Sequence, residues 1–117
     1  MAAEGQDLAV ACAKACEEIL AEDIKVLDLR GVSSLTDFMV ICSGSSMPHL
    51  KAILREVESN VRDCTEAMPL YTEGRVDSRW VVLDYVDVMV HDMHHEMREL
   101  YGLEDLWGDA AAIPWES

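Results

Sequence analysis

At 117 residues the chain is long enough for one compact domain and no more, and half of its residues are apolar, enough for a sizeable core. Nine Lys and Arg stand against 23 Asp and Glu, a formal net charge of −14. That balance argues against a nucleic-acid backbone or an anionic membrane as partner, because such affinity comes from basic side chains neutralising phosphates. A basic protein would be steered toward this surface, although the same charge would also simply keep a small protein soluble.

Residues 6–21, QDLAVACAKACEEILA, put Leu8, Cys12, Ala15, Cys16, Ile19 and Leu20 on one side at spacings of three and four, which predicts an amphipathic helix. DIKVLDL (23–29) reads as a strand, GVSSLTD (31–37) as a turn or loop, and FMVICSG (38–44) as a continuous apolar, central strand. SGSS then opens a second helix. Ser45 or Ser46 serves as its cap, Pro48 suits its first turn, and Leu50, Ile53, Leu54, Val57 and Val61 form its buried stripe. Residues 65–79 read as irregular, with a short strand near Met68–Tyr71 and a turn around Gly74. Residues 79–92 hold two strands, a hairpin whose turn near Tyr85–Val86 lacks the usual Gly or Asn. HHEMRELY starts a short last helix, and the rest is a tail carrying Trp107 and Trp115. The order predicts a single mixed β-sheet with helices packed on it, α+β in class.

The cysteines, Cys12, Cys16, Cys42 and Cys64, form no C-x-x-C pair and read as small apolar residues of a reducing compartment. No signal peptide stands out, no apolar run approaches the roughly 20 residues of a membrane helix, and the N-terminus lacks the Arg-rich look of a transit peptide. The cytoplasm is therefore the expected location.

Several residue groups are candidates for chemistry or binding. VMVHDMHHEM (88–97) holds His91, His94 and His95, but H-E-x-x-H is absent. If Val88–Asp92 is a strand, His91 lies opposite Val88, Val90 and Asp92, so the histidines diverge and read as structural rather than as metal ligands. Asp28, Asp37, Asp84 and Asp87 beside strands, with SGSS to cradle phosphate, suggest a divalent-metal, nucleotidyltransferase-like enzyme as the alternative. Against it, Asp84 and Asp87 are three apart, on opposite faces of a regular strand, and no phosphate-binding glycine motif is present. Ser43 in CSGSS does not form the G-x-S-x-G elbow. Lastly, Tyr71, Glu73, Trp80, Tyr85, Tyr101, Glu104, Asp105 and Trp107 mix aromatic rings with carboxylates, as a face for a basic protein would.

Three strings, AEDIKVLDLRGVSSLTDFMVICSGSSMPHLKAI (21–53), TEGRVDSRWVVLDYVDVMVH (72–91) and ELYGLEDLWGDA (99–110), together resemble the ribosomal silencing factor family, also called Iojap-like. The resemblance spans residues 8–110 and implies one domain over 1–110, with 111–117 as a C-terminal tail. It implies a nucleotidyltransferase-like topology without the catalytic carboxylates, no enzymatic activity, no cofactor and no metal. It further implies a bacterial cytoplasmic protein that binds the large ribosomal subunit through the basic large-subunit ribosomal protein fourteen. Bound there, it blocks the small subunit sterically and lowers translation under starvation or in stationary phase. Homodimer formation is a further expectation. Matched residue by residue, Trp80 stands at the family's partner-contacting tryptophan, Glu73 and Gly74 at the pair beside it, and Tyr101, Leu103 and Trp107 in the last motif. The resemblance puts Trp80 on an exposed side, as an anchor rather than a core residue. The chain departs from the pattern at Val86, where glycine is usual, at Asp92, where an apolar residue is usual, and before Glu73, where a glycine is missing.

Overall fold

The apolar run 38–44 becomes the middle of the molecule. In the computed structural model, which describes residues 4–108 and 110–116, all seven residues of this strand are buried. A run without polar alternation demands that, since both of its faces must be covered. In chain order the elements are α1 (Gly5–Glu18), β1 (Glu22–Asp28), β2 (Phe38–Gly44), α2 (Met47–Thr65), β3 (Tyr71–Arg75), a 3-10 turn (Val76–Ser78), β4 (Trp80–Asp84), β5 (Val88–His94), α3 (His95–Tyr101), a second 3-10 segment (Leu103–Trp107) and β6 (Ala111–Ala112). The six strands form one sheet in the order β3-β4-β5-β2-β1-β6. Only β2 and β5 run parallel; the other neighbours are antiparallel. The α+β fold with a single mixed sheet is as the sequence predicts.

The two faces of the sheet differ. Val40 and Cys42 of β2, Leu83 of β4 and Val88 and Val90 of β5 pack under the helices, against Leu8, Cys12 and Cys16 of α1 and Ile53, Val57 and Val61 of α2. Alternate residues point the other way. Met39 and Ile41 of β2 and Met93 of β5 form a second cluster with Leu27, Leu29 and Leu103, flanked by Trp80, Met97 and Trp107. The helix starts follow the sequence: Ser46 Oγ accepts from the His49 backbone N–H at 3.2 Å, and Pro48 lies in the first turn of α2.

Several expected elements shift. α1 ends at Glu18, and Leu20 takes φ 56°, so its side chain leaves the apolar stripe and is 80% exposed. β3 covers Tyr71–Arg75 rather than residues near Met68, and Gly74 lies inside it instead of in a turn. β3 is an edge strand whose residues are all exposed, so it has no apolar period to read. Residues 111–116 add to β1: Ala111 and Ala112 pair with Asp28 and Leu27, and Trp115 Nε1–H donates to the Ile24 carbonyl at 3.3 Å. Asp109 of the last motif lies outside the described residues.

Candidate functional site

On the face away from α1 and α2, the outer strands leave an open depression of about 330 Å³ lined by Glu73, Gly74, Ser78, Trp80, Val82, Met97 and Tyr101. The strand period builds it. Trp80 and Val82 are two apart on β4, and Arg75 and Glu73 of β3 stand opposite them in register. Met97 and Tyr101 are four apart on α3, one turn along the same helix face.

Trp80 is half-buried. It stands opposite Met93 of β5 and packs against the second core cluster. Its Nε1–H donates to His91 Nδ1 at 3.1 Å. Because Nδ1 accepts, the His91 proton is on Nε2 and the ring is neutral. Burial supports that state, pushing the His91 pKa down from 6.5 to about 4. The Tyr101 ring lies 5.3 Å from Trp80, tilted at 46°, and remains 57% exposed. A rigid, hydrogen-bonded indole thus carries an exposed phenol at the rim of the depression. Gly74 is required there by space. It has φ +83°, and a Cβ on it would stand 2.3 Å from the Trp80 carbonyl oxygen.

Four of the six site residues expected from the sequence, Glu73, Gly74, Trp80 and Tyr101, therefore converge. Leu103 does not join them. It is 7% exposed and fills the second cluster, and Trp107 packs half-buried against that cluster. Val82, Met97 and Ser78 complete the lining, and the sequence reading missed them. The spacings Trp80–Val82 and Met97–Tyr101 carried a usable signal for the first two.

α3 is fixed in place by Arg98, whose Nη1–H donates to Ser43 Oγ at 2.9 Å and whose Nε–H donates to Glu104 at 2.7 Å. Lys25 Nζ reaches the other Glu104 oxygen at 2.8 Å. These cations, Arg98 foremost, hold the Glu104 carboxyl down to about 2.

The histidines divide their work. His91 accepts from Trp80; His94 Nδ1 accepts the Glu96 N–H at 3.2 Å and caps α3; the His95 ring stacks on His94 at 4.4 Å. Three of the four aspartates have defined partners. Asp84 Oδ1 accepts from the Val86 N–H at 2.7 Å, Asp87 Oδ2 from the Gly5 N–H at 2.5 Å, and Asp28 holds Arg30. Asp87 lies in the turn rather than on a strand. Among the described residues no three His, Cys, Asp or Glu are grouped to hold a metal ion.

A family model, ribosomal silencing factor during starvation, matches residues 2–117. The chain belongs to the ribosomal silencing factor family. It is 42% identical over 98 residues to ribosomal silencing factor RsfS of Bacillus subtilis, covering 84% of this chain and 82% of that one. To the factor of the same name from Halalkalibacterium halodurans it is 34% identical over 111 residues, 95% of this chain and 94% of the relative. A crystal structure of a Chromobacterium violaceum protein matches at TM-score 0.84 and 31% identity, over 91% of this chain and 88% of that one. No helix among the described residues is long and apolar enough to cross a membrane.

Proposed function

We propose that this chain silences ribosomes as a binding protein. It docks on the large ribosomal subunit through the basic large-subunit ribosomal protein fourteen, stands in the path of the small subunit and lowers translation, with no reaction catalysed. The observation that supports this most is the Trp80–Tyr101 pair: a fixed indole under an exposed phenol, in an open depression with Glu73 at its side. Aromatic anchors in a shallow, partly desolvated recess are what protein interfaces concentrate their binding energy on. The net charge of −14 would draw a basic partner toward it. Of the aspartates that the alternative, metal-dependent chemistry would use, Asp84 accepts from a turn N–H and Asp87 from the N–H at the start of α1. The names of the relatives, ribosomal silencing factors, point the same way.

The test is a subunit-joining assay with purified small and large subunits. Adding the protein should keep the subunits apart in a density gradient, and Tyr101→Ala should lose most of that effect while staying folded. Unimpaired joining at saturating protein would sink the proposal.

A further inference from the structure

Asp92 is the one carboxylate in the buried set among the described residues, with no exposed surface. It lies in β5 between Cys42 of β2 and Val81 of β4, on the helix-covered face. Its surroundings hold almost nothing to stabilise a charge. From β2, Cys42 Sγ–H donates to Oδ1 at 3.7 Å. β4 presents Val81 and Leu83, and α2 presents Leu50, Ile53, Val57 and Val61, all uncharged. α1 contributes the buried thiols of Cys12 and Cys16, which are no counter-charge. Arg98, on α3 across the sheet, bonds Ser43 and Glu104 through Nη1 and Nε; its Nη2 is buried without a partner, and Arg98 makes no hydrogen bond or ion pair to Asp92. Asp92 Oδ2 has no hydrogen-bond partner.

An isolated carboxylate in such a site is far costlier than a neutral acid. We propose that Asp92 is carried as a neutral carboxylic acid in the folded core and is a pH-responsive weak point, its ionisation loosening β5 from the α1–α2 layer. Asp92 lies between His91 and Met93, the two residues that support Trp80, so the weak point is in the strand beneath the depression. The device does not depend on what docks there.

The sign follows from linkage. Burial raises the Asp92 carboxyl from 3.8 to about 8. A raised carboxyl contributes its full stability below 3.8 and loses it as pH climbs to about 8. His91 runs the opposite way, its pKa lowered from 6.5 to about 4, so stability is regained as pH rises through that range. The two largely cancel below pH 6.5, and Asp92 dominates from 6.5 to about 8. Above that, the buried thiols of Cys12 and Cys42, pushed up by their surroundings, add loss of the same sign.

The experiment is urea unfolding of wild type, Asp92→Asn and Asp92→Val at pH values between 6.5 and 8. The folding equilibrium constant of wild type should fall on the order of tenfold across the window, and those of the variants should stay flat or rise slightly. In parallel, the infrared C=O stretch of a protonated carboxylic acid should be visible in wild type at pH 6.5, fade above pH 8, and be absent from Asp92→Val. A flat wild type, a variant that keeps the wild-type decline, or no acid band at the low end would each overturn the proposal. The band and the wild-type decline decide it even if Asp92→Asn fails to fold.

Discussion

Truncating Trp80 to alanine should damage fold and docking together, and the damage divides along the three contacts of the indole. A fully buried Trp→Ala change costs about 3–5 kcal/mol. Trp80 is half-buried, so its packing against Met93 and the second cluster is worth about half of that, near ~2 kcal/mol. The lost donor also leaves His91 Nδ1, in a 9% exposed residue, without a partner. Because water can enter the open depression, that cost belongs at the low end of the usual range, about 1 kcal/mol. The sum, about 3 kcal/mol, is a large share of the ~5–15 kcal/mol that holds a domain together, and should lower the melting temperature by roughly 10–15 °C. The exposed placement that the resemblance implies for Trp80 is thus met only in part, since the indole is half-buried against the second cluster. Trp80→Phe keeps an aromatic ring but loses the bond to His91 and part of the packed indole, about 1–2 kcal/mol. Tyr101→Ala, at a 57% exposed position, should barely move the melt yet weaken binding by about 2 kcal/mol, roughly 30-fold. Thermal melts and co-sedimentation with purified large subunits measure both quantities. A Trp80→Ala melt unchanged from wild type, or a Tyr101→Ala protein that binds normally, would refute the reasoning.

Gly74→Ala should destabilise the β3–β4 edge by about 2 kcal/mol or more, since the added Cβ would meet the Trp80 carbonyl oxygen at a backbone φ of +83°. Denaturant melts would measure the loss; an unchanged midpoint would mean the edge yields freely. Association with the large subunit should slow as salt rises, because an acidic chain and a basic partner attract through a field screened over about 8 Å at physiological ionic strength. An association rate independent of ionic strength in stopped flow would count heavily against that attraction. Val86→Gly should stabilise the protein by about 1 kcal/mol, read as a higher denaturation midpoint, by relieving a left-handed β-branched residue.

What could be read in advance was whatever repeats. The apolar run of β2, the stripe Leu50–Ile53–Val57–Val61 and the Ser46 cap each pair a residue pattern with one geometry and stand as expected, while Leu54 of the expected stripe is half-buried. β3 was misplaced because an exposed edge strand buries nothing and so has no period; its one strong signal, Gly74, fits a turn as readily as a strand pressed against a neighbouring carbonyl. For the same reason the site was only partly legible. Glu73, Trp80 and Tyr101, singled out as aromatic and acidic residues, line one depression, but burial separates Leu103 from them, and burial depends on how α3 folds back across the sheet. Two of the three departures from the family pattern show the limit most clearly. At Val86 the chain keeps the turn that glycine would make easily: the Asp87 N–H donates to the Tyr85 carbonyl at 3.1 Å across a residue at φ 78°, held by the Asp84 carboxylate. At Asp92 it keeps the strand that an apolar residue would fill, with a carboxyl sealed under the helices. In both places the surrounding structure dictates the backbone, and the local residue bears the strain or the lost solvation. A substitution that conflicts with its site therefore marks where stability was given up, and these two sites lie at the turn and within the strand of the β4–β5 hairpin that carries Trp80.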